Sequence, residues 1–342
     1  MTPLLFGMIF GVLSLTLFAQ TMLNIGPVVA EQTQIKITVI NIAVSITTLF
    51  SGMFIVAAGG LADRIGRVKI LRIGFVLSIA GSLLVGVTPP GEWAPLFLIL
   101  GRVLQGFAGA LIMPSSLALV KTYWEGTGRQ RAVSLWSIGS WGGMGFAALF
   151  GGLMAENVGW RWIFFGGAAV SVLGLLMVAG TPESTAPVAA DFRFDTAGLV
   201  TFVIMMLSLQ VVLTQGGVFG WFSPLTMGLL GLSIILALAF WRIERAKENA
   251  VVNFALFESP TFTGATLSNF FLNATSGMIV VAMSLMQVGA GMSAQDAGLL
   301  TLGYAVILVS FIRAGEKLLQ KFGPRKPMLW GAIVVAFSIL LL

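Results

Sequence analysis

The sequence predicts an all-α protein that crosses a lipid bilayer many times. Of its 342 residues, 57% are hydrophobic and only 9% are charged, and the mean hydropathy is +0.99. A soluble domain carries about 25% charged residues, so this chain has too much apolar surface for a water-soluble core. Short connectors with turn residues, such as Pro89-Pro90-Gly91 and Gly216-Gly217, separate long apolar runs.

Eleven apolar runs are each long enough to cross the hydrocarbon layer, which takes a helix of about 20 residues. They cover residues 4–25, 37–60, 69–88, 95–121, 132–154, 161–180, 196–215, 224–242, 262–287, 296–313 and 327–342. The first run follows no basic segment and continues from Leu4 past Leu23, which indicates a span and not a cleaved signal peptide. The last run reaches Leu342 without a flanking charge. We therefore expect the chain to be part of a longer protein and, by itself, not to transport.

The basic residues predict how the chain is oriented. With the N terminus in the cytoplasm, only Lys36 and Arg161 of the 19 basic residues lie outside and Arg102 lies within a span, which leaves 19 − 3 = 16 on the cytoplasmic side. The opposite orientation would reverse the usual enrichment of Lys and Arg in cytoplasmic loops. The net charge of +6 is thereby explained by loops beside spans, and we expect no nucleic-acid partner.

Several kinds of chemistry are excluded by composition. The chain contains no Cys, no His and no G-x-x-x-x-G-K-[ST] loop. Disulfides, most zinc or copper sites, His-based acid–base catalysis and a P-loop for ATP hydrolysis are therefore absent. We expect no enzymatic activity, no metal and no cofactor, with an ion gradient as the energy source.

The connector after the second run reads Gly59-Gly60-Leu61-Ala62-Asp63-Arg64-Ile65-Gly66-Arg67-Val68-Lys69. Gly59 and Gly66 permit a tight backbone, and Asp63 can lie near a helix N terminus, where a carboxylate is stabilised. A generic positively charged loop is the alternative, but it does not require this order of residues.

The fourth run carries Arg102, Gln105, Gly106, Gly109 and Met113, whose spacing places them on one helical face. An arginine within a span is costly and is expected to face the bundle interior or a water-filled cavity. Snorkelling of its side chain to the interface is the alternative.

In the fifth run, Gly139, Gly143, Ala147 and Gly151 recur at every fourth position, and Gly152 follows. Such a ridge of small residues allows another helix to approach closely. Pure packing explains the pattern, and a helix-bending role is a further hypothesis.

Uncharged polar residues within the runs are candidates for a substrate cavity. They suit amphipathic solutes, but hydrogen bonds between helices would leave the same pattern. The candidates are Gln20, Asn24, Asn41, Met113, Trp136, Asn269 and Asn273.

An internal repeat is visible late in the chain. The segment Leu318 to Lys326 resembles Leu61 to Lys69 at a spacing of 323 − 66 = 257 positions, with Gln320 in place of Asp63. This spacing suits two six-helix units separated by two extra helices. We expect a six-helix bundle over 1–180, two inserted helices and a cytoplasmic loop over 181–260, and the first three helices of an incomplete C-terminal bundle over 261–342.

These segments resemble the major facilitator superfamily. The glycine-bearing loop, the Arg102 span and the glycine-rich fifth run carry the general likeness. Further segments look like the fourteen-helix drug:proton antiporters and, within them, the Nor-type quinolone and multidrug efflux pumps. These segments are 41–46, 49–53, 136–143, 159–164, 194–198 and 303–326.

The resemblance implies proton-driven export of amphipathic drugs (quinolones, dyes and quaternary ammonium compounds) by alternating access, from a bacterial plasma membrane and as a monomer. An exporter of a specific metabolite, lipid or peptide on the same fold is the alternative. By the same likeness, Gly59, Asp63, Arg64, Gly66 and Arg67 form a cytoplasmic gate.

Two departures from the family pattern leave the proton site open. Many relatives have an Asp where this chain has Ala19, and Ala147-Ala148 replace the Gly-Pro of the fifth-span pattern. Arg102 and Gln105 are candidates for proton coupling. Three acidic residues near outer span ends are further candidates: Glu31, Glu156 and Asp296.

Overall fold

The computed structural model describes residues 2–185, 195–247, 250 and 252–340, and within these residues all regular secondary structure is helical. The α-helices are α1 (Thr2–Leu13), α2 (Met22–Thr33), α3 (Ile37–Ile65), α4 (Arg67–Gly86), α5 (Ala94–Tyr123), α6 (Gly126–Ser137), α7 (Gly143–Asn157), α8 (Trp160–Val178), α9 (Thr196–Phe219), α10 (Pro224–Arg245), α11 (Pro260–Ser284), α12 (Ala294–Leu300), α13 (Leu302–Phe322) and α14 (Arg325–Leu340). Three π-helical segments, Ser14–Ala19, Ile138–Gly142 and Leu285–Gly289, and one 3₁₀ segment, Phe254–Glu258, complete the order.

The predicted spans agree with these helices. Nine segments of the described residues are long and apolar enough to cross a membrane, and each coincides with a predicted run. The other two predicted runs coincide with α11 and its π-helical extension, and with α14. A π-helical segment interrupts the first and the fifth span near the middle, and the tenth span is interrupted at Thr301, between α12 and α13.

The connectors gather at two opposite ends of the helices. At the end nearest Thr2, here called the near end, Tyr123 Oη donates to the Pro182 carbonyl over 2.9 Å. At the opposite end, called the far end, the Gly91 N–H donates to the Thr33 carbonyl over 3.0 Å. Successive spans therefore alternate in direction, as the short connectors predict.

Residues 2–178 form a helical bundle with α5 packed between α3 and α4. Helix α4 also packs on α8, and α8 packs on α1. Two apolar clusters fill the bundle. The near-end cluster includes Met8, Phe75, Ile112, Leu119 and Val178, and the far-end cluster includes Met22, Ile25, Ile40, Leu98 and Phe164.

Helices α9 and α10 pack mainly on each other, and α9 also packs on α3. Helices α12 and α13 pack on α7, which joins the first bundle to the C-terminal part of the chain. The loop that we predict between the first bundle and the inserted pair includes 186–194, which lie outside the described residues. The three-part domain division stays a prediction.

Candidate functional site

Arg102 is the charged residue at the centre of the first bundle. It lies in α5 and is only 2% exposed. Its Nη1 donates to the Ala19 carbonyl and to Gln105 Oε1, each over 2.9 Å, and its Nε donates to the Ala43 carbonyl over 3.3 Å. The side chain therefore faces the bundle interior, and the snorkelling alternative is wrong.

The partners of Arg102 in the described part of the chain are carbonyl and amide oxygens, with no carboxylate among them. A buried cation is costly unless it is paired or well hydrogen-bonded. Ala19 contributes its backbone carbonyl to this set. Among these hydrogen bonds, neutral dipoles and not an ionised partner stabilise the guanidinium.

A break in the first span makes the Ala19 carbonyl available. Ala19 ends the π-helical segment that begins at Ser14, and α2 starts only at Met22. The change of helix type interrupts the regular series of backbone hydrogen bonds, and such π segments are frequent at functional sites.

Hydrogen bonds extend from Arg102 to a neighbouring helix on each side. Gln105 Nε2 donates to Ser82 Oγ of α4 over 3.1 Å. Thr47 of α3 donates its hydroxyl to the Arg102 carbonyl over 3.1 Å. Arg102 and Gln105 therefore belong to one buried polar network that joins the first, second, third and fourth spans.

The glycine ridge of the fifth span packs against the first span, and the π-helical segments of the two spans meet there. Thr16 Oγ1 donates to the Gly139 carbonyl over 2.9 Å. A Cβ added at Gly143 would lie 2.5 Å from Thr16 Oγ1, and one at Gly151 would lie 3.0 Å from Thr21 Cβ. Only glycine permits so close an approach at Gly143. Gly152 is also buried in α7. A bending role for the ridge stays a prediction.

The two halves of the chain meet near the far end. Asn24 donates its amide to the Ala148 carbonyl over 2.7 Å and accepts a hydrogen bond from the amide of Gln287. A Cβ at Gly298 of α12 would lie 2.7 Å from Leu149 Cα of α7, so these two backbones are in close contact.

A second contact between the halves lies at the very ends of the spans. Glu156 Oε1 of α7 accepts from the Gln295 N–H over 3.0 Å, and Asn157 Nδ2 approaches Gln295 Oε1 at 3.5 Å. The far end is therefore closed between α7 and α12.

At the near end, the loop between α3 and α4 is held by its own bundle. Asp63 Oδ1 accepts from Arg67 Nε over 2.7 Å, and Arg67 Nη1 donates to Thr122 Oγ1 of α5 over 2.7 Å.

The other predicted gate residues lie in the same loop and in the end of α3. Gly66 adopts a φ of +122°, which favours glycine. Arg64 is exposed in the last turn of α3, and Gly59 lies against Pro114 of α5.

Glu183, which sequence reasoning missed, caps the N terminus of α4. Its carboxylate accepts from the N–H groups of Val68 and Lys69 over 2.8 and 3.0 Å. A Cβ at Gly66 would lie 2.5 Å from this carboxyl carbon. The acid at the helix N terminus is thus Glu183 and not Asp63, because Asp63 is engaged by Arg67.

Comparisons with known proteins agree with this membrane-spanning helical fold. A family model described as Major Facilitator Superfamily matches residues 4–256. The chain belongs to the major facilitator superfamily. Similar proteins include the quinolone resistance protein NorB of Staphylococcus aureus strains MRSA252 and Newman, each 45% identical over 332 residues, which is 97% of this chain and 71% of the relative.

Solved structures of the superfamily share the fold. The peptide transporter POT in complex with sulfate has a TM-score of 0.54 and 18% identity, and covers 94% of this chain and 70% of its own. The proton:xylose symporter XylE bound to 6-bromo-6-deoxy-D-glucose has a TM-score of 0.59 and 16% identity, with 95% and 69% covered. At these identities the likeness shows the fold alone.

In this member of the superfamily, the three acidic candidates for proton coupling lie far from the Arg102 network. Glu31, Glu156 and Asp296 are all exposed at the far end. Asp296 accepts from Ser293 in the first turn of α12 over 3.0 Å. The structure therefore brings together Arg102 and Gln105 but not the carboxylates.

The polar candidates for a substrate cavity fall into different environments. Asn24 is buried at the contact between the halves, while Asn41 is exposed on α3 and Gln20 is half-buried. Asn269 and Asn273 lie one turn apart on an exposed face of α11, where the Asn273 amide donates to Asn269 Oδ1 over 2.8 Å.

Met113 and Trp136 belong to the near-end apolar cluster. Trp136 is buried and donates its indole N–H to Ser116 Oγ over 3.0 Å. Met113 is partly buried against the same cluster. Trp136 therefore supports packing between α5 and α6. In the described residues, no group of three or more acidic side chains could hold a metal ion.

Proposed function

We propose that the protein exports amphipathic drugs, including quinolones, dyes and quaternary ammonium compounds, in exchange for protons. The observation that carries the proposal is the 45% identity to quinolone resistance proteins over 97% of the chain. The site of action is the bacterial plasma membrane, with the N terminus in the cytoplasm and the protein acting as a monomer.

The arrangement of charges supports this orientation. The near end carries Arg64, Arg67, Lys69 and Lys121, and the positive-inside tendency places such residues in the cytoplasm. The near end is then cytoplasmic, and the closed contact at the far end faces outward. Export by alternating access requires that this outer contact open during the transport cycle.

Arg102 provides a fixed positive charge for coupling this motion to protons. A buried cation favours the ionised form of any carboxylate that approaches it, and so promotes release of a proton from that group. Because the network of Arg102 involves carbonyl oxygens of the first and second spans, a shift of either span alters the surroundings of the guanidinium. We assign Arg102 and Gln105 to the coupling machinery on this basis.

The loop between α3 and α4 acts as the cytoplasmic gate in this proposal. Gly59 and Gly66 shape its backbone, while Asp63, Arg64 and Arg67 supply its charges. Arg67 bonds both Asp63 and Thr122, and it thereby ties the loop to α5. Asp63→Asn should therefore impair transport strongly, whereas the exposed Glu92→Gln should not.

Efflux from cells tests the proposal. Cells that express the complete protein are loaded with ethidium or a fluorescent quinolone, and efflux is followed with and without a protonophore. We expect energised efflux that the protonophore abolishes, and competition by several unrelated amphipathic cations. Efflux that persists without a proton gradient contradicts proton coupling, and indifference to most of the panel contradicts a broad drug specificity.

A further inference from the structure

Two carboxyl groups meet in a buried position at the near end of the inserted helix pair. Asp195 is the N-cap residue of α9, and Glu244 lies in the last turn of α10. They are 7% and 2% exposed, respectively. Both lie outside the Arg102 network and outside the contact between the two halves of the chain.

One oxygen of each carboxyl group is well satisfied. Asp195 Oδ1 accepts from the Gly198 N–H over 2.8 Å and from Lys247 Nζ over 2.5 Å. Glu244 Oε2 accepts from the Val252 N–H over 2.7 Å. The second oxygen of each group, Asp195 Oδ2 and Glu244 Oε1, is buried and has no hydrogen-bond donor.

The two unsatisfied oxygens both lie next to Gly198. A Cβ added at Gly198 would lie 2.6 Å from Asp195 Oδ2 and 2.0 Å from Glu244 Oε1. Both oxygens therefore occupy the space that a side chain at position 198 would need. Two ionised carboxylates repel each other at such close range, whereas a carboxyl group and a carboxylate form a hydrogen bond.

We propose that Asp195 and Glu244 form a proton-binding site in which one proton is held between Asp195 Oδ2 and Glu244 Oε1. The bound proton turns one of the two acceptors into a donor and satisfies both oxygens at once. It also reduces the local charge, because the two carboxylates and Lys247 together carry −2 + 1 = −1 without it and zero with it.

The surroundings place the proton on Glu244. Burial raises the pKa of the Asp195 carboxyl, but hydrogen bonds from Lys247 and the Gly198 N–H outweigh burial and hold its pKa below the usual range. Lys247 is the charged side chain that contacts the pair within the described residues. Arg245, the neighbouring cation on α10, lies over the Trp241 ring at 5.0 Å.

A cation other than a proton does not suit this pocket. The ammonium group of Lys247 already contacts Asp195 Oδ1, and a metal ion beside it would meet a like charge. The site requires no transport cycle and no substrate, so it extends beyond the proposed export function. Loss of its proton leaves repelling charges between the near ends of α9 and α10, which would separate them.

Infrared spectroscopy of the purified complete protein in lipid nanodiscs tests the proposal. At neutral pH we expect a C=O stretch from a protonated carboxyl group that shifts in deuterium oxide and disappears as pH is raised. Glu244→Gln and Asp195→Asn should each remove the band, because the new amide donates the hydrogen bond that the proton supplied. Glu156→Gln, at an exposed position, should leave the band unchanged.

A second pair of variants tests the geometry without removing an acid. Gly198→Ala should weaken or abolish the same band, because the new Cβ forces the two oxygens apart. Gly217→Ala in the same helix should not, since nothing lies within 4 Å of its Cβ. A band that survives both Glu244→Gln and Asp195→Asn, or that is absent from the unsubstituted protein, overturns the proposal.

Discussion

Arg102 Nη1 of α5 donates a 2.9 Å hydrogen bond to the backbone carbonyl of Ala19, the last residue of the π-helical segment in the first span. This bond links an intramembrane charge to a local distortion of a different helix. The distortion lies where Thr16 also contacts Gly139 of the fifth span. A movement of the first span therefore affects both the guanidinium and the glycine ridge.

Arg102→Lys should reduce stability and abolish proton-driven efflux. A lysine ammonium cannot replace the hydrogen bonds to Ala19, Ala43 and Gln105 together, and a hydrogen bond that involves a charged group contributes about 1.5–3 kcal/mol. Thermal unfolding in detergent and ethidium efflux from cells measure the two effects. Arg161→Lys is the matched control, since Arg161 also bonds a carbonyl, that of Thr88 at 3.0 Å, but lies near the far end. Equal behaviour of the two variants would contradict a special role for Arg102.

Gly66→Ala should destabilise the near end. Alanine at a φ of +122° is strained, and its Cβ would overlap the Glu183 carboxylate. We expect a loss of about 1–3 kcal/mol, seen as a lower unfolding temperature. Gly60→Ala is a suitable control, because Gly60 is helical and has nothing within 4 Å of its Cβ. A neutral Gly66→Ala would mean that Glu183 does not hold this position in the protein.

Glu183→Gln should weaken the attachment of the linker after α8 to α4. The carboxylate accepts from two N–H groups at the helix N terminus, and such a charge contributes about 0.3–1 kcal/mol, or up to about 2 kcal/mol when partly buried. We expect faster limited proteolysis near residues 181–185 and a modest fall in unfolding temperature. The exposed Glu258→Gln should change neither. Unaltered proteolysis in Glu183→Gln would contradict the capping role.

Gly143→Ala should separate the first and fifth spans. The added Cβ would lie 2.5 Å from Thr16 Oγ1 and 3.0 Å from Leu13 Cδ1. Overpacking of this kind costs about 1–3 kcal/mol. Gly52→Ala, with nothing within 4 Å of its Cβ, controls for the loss of a glycine in a span. If both variants unfold at the same temperature as the parent protein, the close packing of these spans is wrong.

Locking the far end should stop transport. Because the chain has no Cys, Asn157→Cys with Gln295→Cys introduces two defined thiols at the contact between α7 and α12. A short bifunctional thiol reagent should link them and abolish efflux, while each single variant should remain active in the same reagent. Full activity in the linked protein would exclude opening at this contact.

Most spans could be predicted from sequence within a few residues because hydropathy acts locally and directly, but the tenth predicted run, 296–313, ends well before α13, which continues to Phe322. The π-helical segments could not, since the run of apolar residues through Ser14–Ala19 continues without a visible break. Two of these segments make contacts with other spans: Arg102 Nη1 donates to the Ala19 carbonyl, and Thr16 Oγ1 donates to the Gly139 carbonyl.

Parts of the candidate site were visible from residue type alone. Arg102 stood out as an arginine within an apolar run. The four-residue spacing of the glycines indicated that another helix packs closely against the fifth span. Glu183 gave no such signal, because its partners Val68 and Lys69 are backbone groups more than 110 positions away. The pairing of Asp195 with Glu244 likewise depends on how α9 and α10 pack.

In the proposed function a proton gradient drives drug movement through this protein, and proteoliposomes with an imposed gradient test this coupling. The complete protein is reconstituted with an acidic lumen, and ethidium accumulation is followed beside Arg102→Lys at matched protein content. We predict accumulation that requires the imposed gradient, collapses when a protonophore is added and is absent from Arg102→Lys. Ethidium movement that is the same with and without the gradient would contradict the account.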